Sequence, residues 1–256
     1  MSAQAAVEDI QRSGEMIRAA RHPVALTGAG ISTPSGIPDF RSRDSGLWTR
    51  YDPFSVASLT AFRTHPQQVF EWVRPLVGKI ASAEPNPAHL ALARLERAGH
   101  LDGVITQNID GLHQKAGSKK VFEIHGNLRT ATCTSCFRTT PTDDLIEPFV
   151  ETGALPRCPH CGALLKPDIV LFGEQLPYQV VHGAERLMEA CDLVLIAGSS
   201  LEVTPAATMP VAALNHGARL IVVNNEPTYL DGRAELVFHQ DVVAVLPRIA
   251  DEVLHD

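Results

Sequence analysis

Thr106-Gln107-Asn108-Ile109-Asp110, followed fifteen residues after Asp110 by His125-Gly126, brings an amide, a carboxylate and a titratable base into one stretch, downstream of a glycine-rich loop at Gly28-Ala29-Gly30-Ile31-Ser32. An imidazole ionises near neutral pH and suits proton transfer. Placed after a nucleotide loop, this set points to chemistry on a dinucleotide in which the cofactor itself is cut. Two Cys-x-x-Cys pairs follow, Cys133 with Cys136 and Cys158 with Cys161, separated by 21 residues. Four thiolates in that arrangement read as a zinc ribbon, with a gap one residue beyond the usual range; redox cysteines are the alternative. Tetrathiolate zinc has no open position, so one structural ion is expected, stapling a module too small to bury much apolar area. Cys191, alone before an apolar run, reads as an ordinary buried thiol.

The elements that must position these residues alternate along the chain. A helix is expected over about 4–20, then a buried strand at 23–27 running into the glycine loop. The stretch from Pro38 to Pro66 is polar and punctuated by proline, and reads as loops with short helices. Asn86-Pro87 is a helix start, with Leu90, Ala91, Ala93 and Leu95 as its apolar face and Gly99 as its stop. Further strands are read at 103–106, 193–197 and 220–223, each ending in small or polar residues, and a closing helix from Asp241 contains Pro247. The expected fold is therefore α/β: a Rossmann-like parallel sheet with helices on both faces, plus a small inserted zinc-ribbon module. Residues 1–126 and 167–256 are assigned to the nucleotide-binding domain, with a helical and loop insertion at about 40–85, and 127–166 to the small module.

In the glycine loop, Gly28-x-Gly30 lets a backbone approach a pyrophosphate, and amides at the following helix start would face the negative charge. The third glycine of the usual fingerprint is replaced by Thr33, and on its own the loop reads equally well as a tight strand-to-helix turn. Its continuation adds Arg41, able to pair with a phosphate, and Phe40, able to cover a planar ring. Glu226, beside Asn224 and Asn225, offers hydrogen bonds to an adenosine ribose; a polar turn is the alternative.

With 256 residues, 45% hydrophobic and 20% charged, the composition is that of an ordinary globular protein. A net charge of -7 argues against a sequence-independent grip on nucleic acid, while leaving lysine-bearing partners open. No run approaches the roughly 18 to 20 apolar residues of a membrane span, and the first residues carry Glu8, Asp9 and Glu15 without an apolar signal core. A cytoplasmic monomer without membrane or nucleic-acid contact is expected.

Taken together, GAGIS at 28–32, GIPDFR at 36–41, TQNID at 106–110, HG at 125–126, the four cysteines, KPDIVLFGE at 166–174, GSS at 198–200 and NNEP at 224–227 resemble the sirtuins, the NAD-dependent protein-lysine deacylases. The resemblance implies that NAD is a co-substrate and that acyl-lysine proteins or peptides are partners. It implies that the acyl oxygen attacks the ribose carbon bearing nicotinamide to form an alkylimidate, and that the products are free lysine and O-acyl-ADP-ribose. His125 would be the general base, Asn108 and Gln107 would orient the ribose and hold water, and Asp110 with the Ile109 backbone would receive the nicotinamide carboxamide. Ala29, Thr33, Asp39, Phe40 and Arg41 match the family's cofactor loop, and Gly198, Ser199, Ser200, Asn224, Asn225, Glu226 and Val242 its phosphate and adenosine side. The substrate backbone would add as a strand between Val170, Phe172, Gly173 and Glu174 on one side and Val203 on the other. Where succinyl- and malonyl-preferring members carry Tyr-x-x-Arg, this chain has Val73 and Leu76, which implies neutral acyl groups, acetyl first. Two other readings stay open: NAD-dependent mono-ADP-ribosyl transfer to protein, and a zinc-containing NAD sensor without turnover.

Overall fold

In the computed structural model, which describes residues 3–39, 47–49 and 51–255, a helix α1 (Ala3–Ala19) leads into the first apolar run, which is strand β1 (Pro23–Thr27), buried along its whole length. Short helices α2 (Pro53–Val56) and α3 (Leu59–Thr64) precede the long α4 (Pro66–Ser82) and then α5 (Pro87–Arg97). Strand β2 (Gly103–Thr106), helix α6 (Leu112–Lys115) and strand β3 (Val121–Glu123) complete the first half of the main sheet. The small module follows as β4 (Gly126–Cys133), β5 (Thr139–Pro141), α7 (Asp143–Thr152) and β6 (Leu165–Ile169). The chain then returns through α8 (Tyr178–Ala190), β7 (Leu193–Ala197), α9 (Met209–Asn215), β8 (Arg219–Val223), β9 (Leu236–Phe238) and α10 (Val242–Leu254).

The main sheet has the order β3-β2-β1-β7-β8-β9 with every pair parallel. Two of its six strands, β3 and β9, were not among the four expected: each is a three-residue edge, too short to show a periodic signal. Along the buried inner strands, successive residues alternate between two cores. Ala25, Leu193 and Leu195 face a core shared with α1, α5 and α10, while Val24, Leu26, Val194 and Ile196 face one shared with α8 and α9. The chain runs outward from β1 to β3 on one side and restarts at β7 on the other, so the loops after β1 and β7 part above the sheet. That divergence opens a crevice at the carboxyl ends of the strands.

Across this crevice stands the antiparallel sheet β5-β4-β6, with a core of little more than Ala131, Cys133, Cys158 and Leu165. A separate apolar cluster joins α3, α4 and α7, and its Phe70 and Phe149 rings meet edge-on at 5.5 Å. Among the described residues, no helix is long and apolar enough to cross a membrane.

Helix α5 begins as its sequence indicates. Asn86 accepts a hydrogen bond from the Ala88 N–H, and the His89 ring reaches back to the Asn86 N–H. Its buried face differs from the expected one: Leu90 is 46% exposed, and the apolar stripe is Ala88, Ala91, Leu92 and Leu95. The helical period of 3.6 puts these four at i, i+3, i+4 and i+7 and turns Leu90 outward. Asn86 does more than cap, because its side-chain N–H groups donate to the Ile31 carbonyl at 2.8 Å and to Ser35 Oγ at 3.0 Å, tying α5 to the glycine loop. Asn86→Ala is therefore expected to lower unfolding stability by about 1–3 kcal/mol, measured by urea denaturation; a loss within error of zero would refute the tie.

Candidate active site

The glycine loop lies where it was expected but works differently. No α-helix follows Gly28; the chain makes two short 3-10 turns, Ala29–Ile31 and Thr33–Ser35. The glycines there also serve a contact with a second loop. A Cβ on Gly28 would lie 2.9 Å from the Gly198 carbonyl oxygen, one on Gly30 2.8 Å from the same oxygen, and one on Gly198 2.2 Å from the Ile31 nitrogen. The loops after β1 and β7 thus touch backbone to backbone, sealed by a hydrogen bond from the Gly30 N–H to the Gly198 carbonyl at 2.9 Å. Gly198 has φ +63, which favours glycine independently.

This contact places Ser32, which is buried and at the centre of a polar network. Its hydroxyl donates to Asp110 Oδ2 at 2.7 Å and accepts from Asn108 Nδ2 at 3.0 Å. It also meets His89 Nε2 at 3.4 Å; because His89 Nδ1 accepts from the Asn86 N–H, Nε2 is the protonated nitrogen. Asn108 Nδ2 donates a second time, to the Gly28 carbonyl at 3.1 Å. With both amide protons turned inward, Asn108 keeps its side-chain oxygen as an acceptor. Asp110 Oδ1 accepts from the Leu112 N–H at 2.9 Å, and burial still pushes the Asp110 carboxyl above its ordinary range. Beneath the network, Thr27 Oγ1 links Thr106 Oγ1 and His113 Nε2, both at 2.9 Å. Burial lowers His113 to about 3 and His89 to about 4, so both rings are neutral at pH 7.

His125 follows the end of β3, and its Nδ1 lies 3.0 Å from the Gln107 carbonyl. A carbonyl only accepts, so Nδ1 carries the proton and Nε2 keeps a lone pair. Gly126 takes φ +77, where an added Cβ would stand 2.0 Å from the Asp168 carbonyl oxygen. Glycine is thus required for the chain to pass directly from His125 into the β4–β6 pairing. Arg129 and Glu123 form a two-pronged ion pair that brackets this turn.

His125, Asn108, Gln107, Ile109, Asp110 and Ala29 line one cavity of about 410 Å³, together with Val170, Phe172, Gly173, Glu174 and Val203. The structure thereby brings together the residues expected around the reacting bond and those expected along the peptide. Gln107 Nε2 is buried without a partner among the described residues. An unmet donor at such a wall is costly and fits a hydroxyl-bearing ligand. Ile37, Trp72, Val73, Leu76 and Ile80 add an apolar wall, four of them spaced along α4 at helical intervals.

The other expected residues lie beside this cavity and not in its wall. Gly28, Gly30, Gly198 and the buried Ser199 form the loop contact, with Ser200 exposed next to it. Thr33 donates its hydroxyl to the Gly30 carbonyl, and the Asp39 carbonyl accepts from the Leu47 N–H. Asn224 is fastened through its side chain to the Glu226 carbonyl, while Asn225 and Glu226 are exposed beyond β8. The Val242 side chain is in the core, so any ligand contact there is made by its backbone. Phe40 and Arg41 lie outside the described residues. Ser32, His89, His113 and Glu123 were not singled out beforehand; only the Asn86 cap gave a local hint, through the imidazole three residues on.

The four cysteine sulfurs lie within 4.8 Å of one another, with Cys133–Cys161 at 3.4 Å and Cys136–Cys158 at 3.7 Å. None is in a disulfide. The corners of a tetrahedron with zinc–sulfur bonds of about 2.3 Å are about 3.8 Å apart, so the set fits one zinc ion. The N–H groups of Ser135 and Cys136 donate to Cys133 Sγ, as suits a thiolate.

Residues 28–205 match the family model described as the Sir2 family. The chain is similar to NAD-dependent protein deacylase 2 of Archaeoglobus fulgidus, 44% identical over 96% of each chain. It is 42% identical to the NAD-dependent protein deacetylase of Sulfolobus acidocaldarius, again over 96% of each. Its backbone superposes with a TM-score of 0.89 and 39% identity on a Sir2 variant holding a deacetylated p53 peptide and 3'-O-acetyl ADP ribose, covering 95% of this chain and 98% of that one.

The two neutral histidines set the expected acid response. Both have folded-state pKa values below the unfolded value of 6.5, so the unfolded chain binds protons first as pH falls. Their contribution is fully present above pH 6.5 and is lost as pH drops from 6.5 to about 4 for His89 and to about 3 for His113. The His89 share of that loss is on the order of 3 kcal/mol. Urea midpoints measured at pH 7 and pH 5 are expected to fall at the lower pH, and His89→Asn should flatten the difference. An equally steep difference in the variant would remove His89 from the explanation.

Proposed function

The chain belongs to the Sir2 family, and on that basis we propose that its crevice carries NAD-dependent removal of acetyl groups from protein lysines, passing the acyl group to ADP-ribose and releasing nicotinamide. The observation that carries the reading is the His125 imidazole on the cavity wall, its Nδ1 donating to the Gln107 carbonyl and its Nε2 bearing the lone pair, in the same cavity as Ser32, Asn108 and Asp110. Bound NAD supplies the nicotinamide–ribose bond whose cleavage exposes an electrophilic carbon. His125 Nε2 takes a proton from a ribose hydroxyl. The Asn108 side-chain oxygen and Gln107 Nε2 orient hydroxyls or water, while Asp110 and the Ile109 backbone receive the carboxamide. Gly198, Ser199, Ser200, Asn224, Asn225 and Glu226 extend along the strand ends toward the phosphates and adenosine, with Ala29, Thr33, Asp39 and the Val242 backbone completing that side; Phe40 and Arg41 join the cofactor set by their match to the family's loop alone.

We assign 127–166 to a zinc-bearing module and 1–126 with 167–256 to the NAD-binding domain; the two separate sheets support this division. Zinc on the four cysteines supplies cohesion and no catalysis, because tetrathiolate coordination is closed. Thiols paired for metal suit a reducing cytoplasm.

The acyl group is neutral in this reading. Val73 and Leu76 are 4% and 6% exposed on the apolar wall, and no lysine or arginine lines the cavity among the described residues. Arg74 is turned away, donating to the Val150 and Glu151 carbonyls at the end of α7. A succinyl carboxylate would be desolvated without a cation and near Asp110.

The direct test is to incubate the protein with NAD and an acetyl-lysine peptide and follow peptide, nicotinamide and O-acetyl-ADP-ribose by mass spectrometry. All three are expected in equal amounts, and His125→Ala should lower kcat by roughly 10²–10⁴-fold. Gain of ADP-ribose mass on an acceptor without acyl loss would establish ADP-ribosyl transfer instead, and binding without products a sensor. An unpaired carboxylate costs about 2–5 kcal/mol at such a site, so kcat/KM for succinyl-lysine is expected to be on the order of 100-fold below that for acetyl-lysine. The pair Val73→Tyr with Leu76→Arg should narrow that ratio; a wild type that prefers succinyl would overturn the assignment.

A further inference from the structure

The segment from Ile169 to Glu174 forms one wall of the cavity, yet past the end of β6 it belongs to no ladder of the small sheet. Its backbone is held at separate points. The Val170 N–H donates to the His125 carbonyl at 2.8 Å, the Phe172 N–H to the Ala57 carbonyl at 2.9 Å, and the Phe172 carbonyl accepts from the Leu59 N–H at 2.9 Å. Past the last of these points the chain turns, with Gly173 at φ +87.

A side-chain clamp closes over that turn. The Lys166 ammonium lies 3.0 Å from the Pro167 carbonyl, 2.8 Å from the Ile169 carbonyl and 3.0 Å from Glu174 Oε2, which accounts for its three protons. Glu174 Oε2 also accepts from the Leu171 N–H at 2.8 Å, while the Glu174 N–H donates to the Leu171 carbonyl at 2.9 Å. Both groups are largely withdrawn from water, with side chains 18% and 19% exposed. Charge-assisted bonds in such a setting are strong and directional. The Glu174 carboxylate is therefore committed to its own loop and is not available to read a substrate side chain.

We propose that Lys166 and Glu174 are positioning residues for the peptide substrate: their ion pair holds the 169–174 segment in the shape that receives the acyl-lysine strand. This rests on the deacetylase reading and its strand-addition mode. A receiving edge ordered in advance spares the ordering cost at binding, so the clamp acts on peptide affinity. Bond cleavage is affected little, because Val170 is tied to His125 by its own backbone bond.

Full-length, zinc-loaded wild type, Lys166→Arg, Lys166→Met and Glu174→Gln are compared by steady-state kinetics against acetyl-lysine peptide and against NAD, and by amide hydrogen exchange over 169–174. Lys166→Met is expected to raise the peptide KM roughly tenfold, with kcat and the NAD KM within about twofold, and to speed exchange at Leu171. Lys166→Arg should recover most of the peptide KM, and Glu174→Gln should move it in the same direction by less. An unmoved peptide KM in Lys166→Met overturns the proposal even if exchange quickens. A joint loss of kcat, NAD affinity and melting temperature in both Lys166→Met and Lys166→Arg also overturns it, since that is the pattern of a fold defect. A wild type without deacetylation removes the functional reading itself, whereas normal wild-type kinetics with an unchanged variant removes only the clamp.

Discussion

The site depends on a contact that only hydrogen-sized side chains permit. Where the loops after β1 and β7 meet, three glycines bring backbones so close that an added Cβ on any of them would fall under 3 Å from a main-chain atom. That closeness holds the Ala29–Ile31 turn against Gly198, which sets Ser32, and Ser32 in turn fixes Asn108 and Asp110. A side chain at this seam would shift several polar groups together, because each is bonded to the next.

Around the seam the protein buries polar groups, and burial works against their charged forms. His89 and His113 meet edge-on at 4.9 Å and are kept neutral by their surroundings, and the Asp110 carboxyl is pushed toward its neutral form while still accepting two hydrogen bonds. In so dry a place every partner is fixed by donor and acceptor counting. His89 must protonate Nε2, and the Asn108 amide has one acceptable orientation. The cavity wall above therefore presents a set of acceptors and donors whose directions are established before any ligand arrives.

Much of the scaffold was legible because its signals are local. Four inner strands are apolar runs ending in small or polar residues, Asn86-Pro87 opens α5, and paired cysteines declare their spacing. Edge strands of three residues offer no period to read, and Leu90 was taken for Leu92 because the alanines beside them blur the helical stripe. The glycine loop has a second role that its own sequence does not display: its glycines also serve the seam with Gly198, some 170 residues away in the chain. The Ser32 network was invisible for the same cause, since its members come from three separate segments. Resemblance to a family located Val73 and Leu76; the fold adds that Trp72 and Ile80 share their wall.

Strand β4 gives the zinc module a leverage that its chemistry would not suggest. The strand starts at Gly126, immediately after His125, and ends at Cys133, the first of the four thiols, roughly 23 Å further on. One strand thus has the histidine at one end and the cysteine cluster at the other, and its β6 neighbour continues into the 169–174 segment. Loosening the far end frees the near end. An experimenter who titrated activity against a chelator would see the response of a metalloenzyme, and would credit the ion with a reaction it never touches.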